Sequence, residues 1–333
     1  MRFTTKLLFG LYSCLALTAC QRTIAPRGEN TIAASKPNAS SRDGDAASNI
    51  EAANPYGAPR LLGRFEDANV TESSGICASK QTANLYWTHN DSGDGAFLYA
   101  FDSHGERGGV WRVANASARD WEDIAAARGA DGRSFLYIGD IGDNSRARSE
   151  IVVYRVLEPQ VTQEDVASTK DRPRMTEPAA AFRLRYPDGK HDAETLMVHP
   201  QTGDIYIVTK TKSEAAAVYK LPAPLLRDGR RVSTLVRVGE VRLPSILGGM
   251  ITGGDISPDG ARVVLCDYFA AYEIVLRGNS AESFDQIWQQ PLTPIAPGGR
   301  DQGEAICYSA DGKSLITTSE GARAPLYAVT LKN

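Results

Sequence analysis

An acidic-then-apolar segment recurs five times along this chain of 333 residues. Each copy, called a cassette below, ends around an Ile or Leu anchor, and the anchors stand at positions 76, 124, 196, 256 and 306. The spacings between successive anchors are 48, 72, 60 and 50 residues. Self-similarity at periods of this size indicates a repeat architecture in which each unit is one supersecondary element.

The stretch after each cassette alternates short apolar runs with polar turns. In the second unit, Phe135–Ile138 and Ile151–Tyr154 are β-branched or aromatic runs separated by a loop. Such runs predict strands, and the turns formed by Asp131, Asp259 and Asp311 with the glycine that follows each predict hairpins. A fourth apolar run precedes the next cassette in four units, at Gly109–Val113, Ala181–Leu184, Val236–Val238 and Gln286–Trp288.

Four strands per unit predict an all-β fold, a β-propeller of five four-stranded blades. The fifth unit lacks a fourth strand, and the run Arg60–Phe65 ahead of the first unit can supply it, closing the last blade and the ring. Six blades are the alternative, because the spacing of 72 residues leaves room for extra strands near 160–180. An ordinary β-sandwich with coincidental spacing is the competing fold. Residues 59–333 need only one folded domain.

Residues 1–19 have the composition of a secretory signal peptide, with two cations, an apolar core and small residues at the cut. The apolar run is too short to span a membrane. The ending Leu17-Thr18-Ala19-Cys20 resembles the lipobox of bacterial lipoproteins, which implies a lipid on Cys20 that inserts into a membrane. Residues 20–58 are small and polar, typical of a disordered tether. Because Gln21 follows the cysteine, we expect the protein in the bacterial cell envelope, on the outer membrane facing the periplasm.

The net charge narrows the class of partner, and the cysteines raise the question of a disulfide. Without residues 1–19, 35 cations and 40 acids remain, a net charge of −5, which argues against a nucleic-acid partner. Cys77 and Cys307 occupy the same step of the first and fifth cassettes, which become neighbours when the ring closes. They can form a disulfide in an oxidising compartment or remain two buried thiols.

Acidic side chains concentrate on one face of the predicted propeller. The cassettes begin the innermost strands on the face that also carries the loops after the second strands, whereas the Asp-Gly turns lie on the opposite face. The candidate metal ligands are Glu72, Asp120, Glu122, Asp140, Asp143, Asn144, Asp192, Glu194 and Glu304. The candidate ligand-binding residues are His89, Asn90, Asp91, Asp123, His191, Lys210, Asp255 and Glu320.

Carboxylates crowded at one channel mouth repel one another unless a cation or hydrogen-bond donors compensate. Calcium takes about six to eight oxygen ligands from such side chains, so we expect a Ca²⁺ ion there. The loop Gly139–Arg146 holds three such ligands within five positions, whereas Asn90–Gly95 matches only the start of an EF-hand loop, because Phe101 replaces its final glutamate. In the competing explanation, the acids bind backbone amides and fasten one blade to the next.

Motifs for other chemistries are absent from the sequence. Neither a His-x-His nor a His-Glu-x-x-His spacing for zinc occurs, and there is no Gly-x-Ser-x-Gly elbow. A metal-dependent hydrolase, in which the cation polarises a phosphoryl or acyl oxygen and a glutamate acts as base, remains open. Four cations fall near the acidic face and can meet an anionic group: Arg146, Lys210, Lys212 and Arg300.

The segments Gly303–Ile306 and Ala310–Leu315, with Glu320, resemble the pattern of bacterial phytase-like and SdiA-regulated β-propellers. Asp120–Ile124 and Tyr137–Asn144 are similar to segments of secreted propeller proteins. The resemblance spans roughly residues 60–333 and implies the propeller fold. Phytases of this shape use a calcium-loaded acidic mouth with basic residues for phosphate, and lactonase-type propellers with a central calcium are a second analogy.

Two interpretations of function follow. In the first, a lipid-anchored envelope propeller binds a ligand at a calcium-loaded acidic face, and the ligand is an envelope protein or a small anion. In the second, the protein is a calcium-dependent hydrolase of phosphoesters or lactones at the same site.

Overall fold

Every cassette begins the innermost strand of an antiparallel blade. The computed structural model describes residues 54–212, 214–225, 231–245, 249–277 and 283–332. Strands are numbered along the chain, and β1 (Arg60–Arg64) precedes the first cassette. The innermost strands are β2 (Ser73–Ala78), β6 (Trp121–Arg128), β11 (Ala193–Val198), β16 (Gly253–Ile256) and β20 (Gly303–Tyr308). Each contacts the innermost strand of both neighbouring blades, and β2 contacts β20, so the ring closes. The five-bladed propeller is confirmed, and the six-bladed and sandwich alternatives are wrong.

The other strands complete the blades from the channel outward. Blade one continues with β3 (Leu85–Asn90), β4 (Phe97–Asp102) and β5 (Arg107–Arg112), and blade two with β7 (Ser134–Asp140), β8 (Ile151–Leu157) and β10 (Ala180–Arg185). Blade three continues with β12 (Ile205–Thr209), β13 (Ala216–Leu221) and β15 (Val236–Val241), and blade four with β17 (Arg262–Cys266), β18 (Ala271–Val275) and β19 (Leu292–Ile295). Blade five continues with β21 (Ser314–Ser319) and β22 (Pro325–Thr330).

Strand β1 supplies the fourth strand of blade five, as the sequence predicts. It pairs antiparallel with β22, from Arg60 opposite Ala328 to Arg64 opposite Pro325. The first and last parts of the described chain therefore share one sheet. This arrangement leaves the ring without a gap between its first and fifth blades.

Each connection between a third and a fourth strand covers the outer edge of the preceding blade. The connection in blade two carries a 3-10 helix (Gln163–Ala167) and β9 (Arg174–Met175), which pairs parallel with β5 of blade one. The connection in blade three carries β14 (Val232–Thr234), which pairs parallel with β10 of blade two. The residues near 160–180, which make the second repeat longer, thus cover the outer edge of blade one, and they add no sixth blade.

One predicted strand is wrong. Gln286–Trp288 lies in a 3-10 helix (Phe284–Gln289), and the fourth strand of blade four is β19, a few residues later. The Ser283 side chain accepts a hydrogen bond from the Asp285 N–H (3.3 Å) at the start of this helix. Trp288 then packs against β15 of blade three. The apolar run therefore covers the outer edge of blade three and does not pair as a strand within blade four.

The hydrophobic core is divided into five clusters, one at each interface between neighbouring blades. Cys77 packs in the cluster between blades one and two, whereas Cys307 packs between blades five and one. Both thiols are free and buried, as is Cys266. The side chain of Cys77 packs toward blade two and that of Cys307 packs toward blade one, so the two thiols face different interfaces. The disulfide alternative is not adopted.

The predicted signal peptide, the lipidation site Cys20 and nearly all of the predicted tether lie outside the described residues. The chain contacts the propeller from Asn54 onward, and Tyr56 forms a β-bridge with Leu331. Among the described residues, no helix is long and apolar enough to cross a membrane.

Candidate metal centre

We call the face on which the innermost strands begin the front face, and the opposite one the rear face. Four innermost strands carry a β-bulge at the same step, two residues before the anchor. In β6, Trp121 pairs with Asp140 and Asp123 with Gly139, so Glu122 is the extra residue. The same register shift makes the extra, unpaired residue Ser74 in β2, Glu194 in β11 and Glu304 in β20. Because a bulge redirects the extra side chain, three of the five repeats aim a glutamate at the front of the channel.

Glu122 meets two further carboxylates at this mouth. One carboxylate oxygen from each of Asp91, Asp120 and Glu122 lies within 4.8 Å of the other two. Asp120 stands two residues before Glu122, and Asp91 follows β3 of blade one, so the trio joins blades one and two. The backbone of Gly142 packs against it, since a Cβ atom there would lie 2.0 Å from Glu122 Oε1 and 2.5 Å from Asp120 Oδ2. This close approach is possible only for glycine.

Burial and mutual repulsion dominate the electrostatics of the trio, and the Arg148 charge offsets them in part at Asp120. Desolvation, followed by the negative charge of Asp91, raises the pKa of Asp120 to about 6. Desolvation, followed by the charge of Glu194, raises the pKa of Glu122 well above its usual value. Two cations of the front face form ion pairs with other acids: Lys210 pairs with Glu194, and Arg148 pairs with Asp140 at 2.8 Å.

Glu194 lies between the trio and blade five. Its charge is the strongest acidic influence on both Glu122 and Glu304. Its Oε1 accepts a hydrogen bond from Lys210, which also donates to the Tyr268 hydroxyl (2.7 Å). Although burial opposes it, the Glu194 carboxylate raises the pKa of Lys210, so this lysine remains a cation. Glu194 Oε2 is buried and accepts no hydrogen bond from any residue in the described part of the chain.

Glu304 and Glu320 occupy the blade-five side of the mouth. Gln302 bridges them, with its Nε2 3.2 Å from Glu304 Oε1 and 2.7 Å from Glu320 Oε2. Desolvation, followed by the charge of Glu194, raises the pKa of Glu304 to about 9. Glu72 of blade one is exposed on the same rim.

The ligand-rich loop after β7 is organised around its own acids. The Asp143 carboxylate accepts the N–H groups of Ala147 and Arg148, each at 2.8 Å, and Asp140 forms the buried ion pair with Arg148. Asp192 Oδ1 accepts the Asp143 N–H at 2.8 Å, and Asn144 is exposed. These four predicted ligands therefore line the rim beside the trio, where the structure gives three of the carboxylates partners within the protein.

Other predicted site residues act between blades. Asp123 accepts the N–H groups of Ile124 (2.8 Å) and of Leu196 in blade three (2.9 Å). Asp255 does the same for Ile256 (2.8 Å) and for Tyr308 in blade five (2.9 Å). In blades two and four the acid before the anchor is thus a fastener, as the competing explanation proposes for the acids in general.

The remaining predicted residues do not join the trio. Asn90 Oδ1 accepts the N–H groups of Thr71 and Glu72, each at 3.0 Å, which holds the approach to β2. His89 is fully buried and stands edge-on to Trp121 at 5.7 Å. His191 lies 3.0 Å from Asp188 and from the Tyr219 hydroxyl, at the outer side of blade three.

A pocket of about 560 Å³ adjoins the site on the front face. It brings together three of the four predicted anion-binding cations, Arg146, Lys210 and Lys212, with Asp192 and Tyr268. The fourth, Arg300, is buried beside Gly303 and donates to the Asp267 carbonyl (3.2 Å).

Sequence reasoning missed Gly142, Gln302 and Tyr268. Gly142 stands inside a segment whose acids attract attention, and only its contact distances reveal its role. Tyr268 follows β17 without any motif, and its contact with Lys210 depends on blade packing.

No protein-family model matches this sequence, and no curated protein matches it. Among solved structures, the chain is similar to the Dos1 propeller, with 9% sequence identity and a TM-score of 0.36. That similarity covers 83% of this chain and 95% of the other.

Proposed function

We propose that this protein is a binding propeller that holds a calcium ion at the trio Asp91, Asp120 and Glu122 and presents it to a ligand or partner. The observation that carries the proposal is the convergence of three carboxylate oxygens within 4.8 Å, with a bulge that directs Glu122 into the group. The buried, unpartnered Glu194 Oε2 nearby is a further oxygen that a cation would satisfy. Carboxylates that converge in this way repel one another, and a bound cation would offset that repulsion.

The donor set favours calcium over softer metals. The trio offers only carboxylate oxygens, without histidine or cysteine, which suits hard cations. Calcium takes about six to eight oxygen ligands, more than three side chains supply. Water or oxygen atoms of a ligand would fill the other positions, which is how the site would recognise a partner.

Calcium titration of the purified protein by calorimetry, after treatment with a chelator, tests the proposal. We expect saturable binding with a higher melting temperature, and Glu122→Gln should abolish both effects. Asp131→Asn, which changes an exposed acid on a rear turn, is the matched control and should bind calcium like the parent. The absence of heat and of a melting shift in the parent protein would overturn the proposal and leave the acids as blade fasteners.

A calcium-dependent hydrolase is the second candidate, favoured by the pocket that holds Arg146, Lys210 and Lys212 beside the acids. The cation would polarise a phosphoryl or acyl oxygen, and Glu194 would act as base. Assays with phosphomonoesters and lactones, with calcium and with chelator, test this candidate. Activity that requires calcium and is lost in Glu194→Gln would support it, whereas calcium binding without turnover supports the binding protein.

We also propose that a lipid on Cys20 attaches the protein to the bacterial envelope, on the outer membrane facing the periplasm. The sequence Leu17-Thr18-Ala19-Cys20 supports this part of the proposal. Labelling of growing cells with a radioactive fatty acid should mark the protein, and Cys20→Ala should remove the label. A labelled Cys20→Ala variant would contradict the assignment.

A further inference from the structure

A second pocket, of about 420 Å³, occupies the rear end of the channel. Its lining comes from all five blades, where the innermost strands end. Counted from the anchors, Lys80, Arg128, Pro200 and Ala310 stand at the same step of four repeats, four residues on, and all four line the pocket. The rear pocket is therefore built by the repeat itself, as the front site is.

The chemistry of the rear pocket is opposite to that of the front. Its apolar wall consists of alanine and proline side chains, at Ala83, Ala127, Pro200, Pro258 and Ala310. Two cations, Lys80 and Arg128, also line it, and none of the described residues that line it is an Asp or Glu. The other lining residues are polar and uncharged: Ser79, Gln81, Thr82 and Gln201. A concave, mostly apolar site of this size with a few fixed polar groups is typical of small-molecule binding.

The hydrogen bonds of Lys80 are made by its backbone. Its N–H donates to Glu158 Oε2 (3.2 Å), and its carbonyl accepts from Arg128 Nη2 (2.6 Å). Glu158 is itself buried and accepts hydrogen bonds from Ser79 (2.5 Å) and Trp87 (3.1 Å). Within the part of the chain that the structure describes, no carboxylate forms an ion pair with Lys80.

Arg128 is the more exposed of the two cations, and the backbone uses part of its donor set. Its Nη2 donates to Lys80, and its Nη1 lies 3.4 Å from the Gly132 carbonyl. The Lys80 ammonium also acts on the buried Asp255 of blade four, where burial raises the pKa of the carboxyl and the Lys80 charge opposes the rise. A cation that forms no ion pair, beside an apolar wall, matches a ligand with one negative charge and an apolar body.

From the charge and shape of this rear pocket, we propose that it is a second ligand site, which binds a small amphipathic monoanion such as a short-chain fatty acid. The anionic head would contact Lys80, and the apolar body would pack against Pro200, Pro258 and Ala310. The site is independent of the calcium site, because the two lie at opposite ends of the channel.

Hexanoate is the probe for this proposal, with 1-hexanol, hexylammonium and inorganic phosphate as matched probes. Binding to the full-length protein is followed by saturation-transfer NMR and calorimetry in the presence of a calcium chelator. We expect hexanoate to bind, and each matched probe to bind at least about tenfold more weakly, because each lacks either the negative charge or the apolar body.

Three variants locate the ligand. Lys80→Gln should weaken hexanoate binding by at least about tenfold, and Lys80→Arg should largely restore it. Ala310→Leu, at an exposed position, should weaken binding with the cation intact, by filling apolar space. Lys313→Gln, an exposed lysine on a rear turn, is the control and should leave the affinity unchanged.

Several outcomes would overturn the proposal. They are the absence of hexanoate binding at millimolar concentration, equal binding of hexanol, equal binding of phosphate, or unchanged affinity in a folded Lys80→Gln variant. Equal binding of phosphate would indicate a simple anion site without a role for the apolar wall.

Discussion

Two acids that are neighbours in sequence, Glu122 and Asp123, have different tasks. Asp123 accepts two backbone N–H groups and joins blade two to blade three. Glu122 is the extra residue of a bulge and turns toward Asp91 and Asp120. The step within the cassette therefore decides whether a carboxylate holds the ring together or faces the channel.

Gly142 permits the acids to come together, and its replacement tests the geometry. In Gly142→Ala the added Cβ would lie 2.0 Å from Glu122 Oε1, so the carboxylate must move away. We expect the variant to fold but to bind calcium at least about tenfold more weakly in calorimetry, because the carboxylate oxygens no longer converge. Gly57→Ala is the control, since its Cβ would meet only the Thr330 carbonyl at 3.5 Å. Equal calcium affinity in Gly142→Ala would place the ion elsewhere.

Glu304 should make stability depend on pH. Its carboxyl has a pKa of about 9 in the folded protein against an ordinary value of 4.5, so the folded state holds a proton that the unfolded state releases. The contribution of this group to stability therefore falls as pH rises between these two values. In urea unfolding with chelator present, Glu304→Gln should be more stable than the parent at about pH 8, by about 1 kcal/mol.

The slope with pH provides the control for this prediction. Between about pH 6 and about pH 9, Glu304→Gln should lose part of the fall in stability that the parent shows. Asp311→Asn should keep the parental slope, because Asp311 is exposed and its hydrogen bond from Ser309 lowers its pKa. Identical slopes in the parent and in Glu304→Gln would show that Glu304 is ionised in the folded protein.

At the scale of elements, four of the blades protect the edge of the one before them. The device differs from blade to blade: short parallel strands cover blades one and two, and a 3-10 helix covers blade three. The turn around His104 covers β1 of blade five, where the Glu66 N–H donates to the Gly105 carbonyl (3.0 Å). Such cover reduces the risk that an exposed edge pairs with another chain.

Trp288 is a buried apolar side chain of the helix that covers blade three. A Cβ on Gly239 of β15 would lie 2.8 Å from the Trp288 Cβ, and the Trp288 side chain is buried. We expect Trp288→Ala to lower the free energy of unfolding by about 3 kcal/mol and to promote self-association through the uncovered edge. Phe269→Ala, at a side chain that is 65% exposed, should change it by no more than about 0.5 kcal/mol. Urea unfolding and light scattering measure both effects, and a loss in Trp288→Ala no larger than in Phe269→Ala would contradict the role of the helix.

At the scale of the molecule, one strand from the beginning of the domain closes the ring. Besides the β1–β22 pairing, the Tyr56 hydroxyl donates to Glu273 of blade four (2.5 Å), and the Asn54 side chain donates to the Pro294 carbonyl (3.0 Å). The two ends of the described chain are thus fixed to the same region of the ring.

Truncation tests ring closure. A chain that begins at Asn54 should unfold in one transition, with the melting temperature of the longer protein, because it keeps all of these contacts. A chain that begins at Glu66 lacks β1, exposes the edge of β22 and should melt at a lower temperature or aggregate. Equal melting temperatures for the two chains would mean that blade five is stable without its fourth strand.

The ring also gives the channel two chemically different ends. Acids from the start of the innermost strands face the front, and Lys80 and Arg128, from the ends of two such strands, face the rear. Because every innermost strand runs in the same direction along the channel, one repeat unit places different residue types at the two mouths.

The sequence by itself determined the number of blades, the strand that closes the ring and the face on which acids gather. These properties follow from the spacing of the anchors and from the alternation of apolar runs with turns, both of which are local and repeat along the chain. The same local signals placed the fourth strand of blade four wrongly, because an apolar run that packs on a neighbouring edge has the composition of a strand.

Only the tertiary structure decided which acids meet. A one-residue bulge separates Glu122 from Asp123, and register of this kind depends on the partner strand rather than on composition. The approach of Gly142 to the trio, the commitment of Lys210 to Glu194 and the ring of pocket residues around Lys80 each join different blades. Such contacts arise from how the blades pack around the channel, which no single repeat encodes.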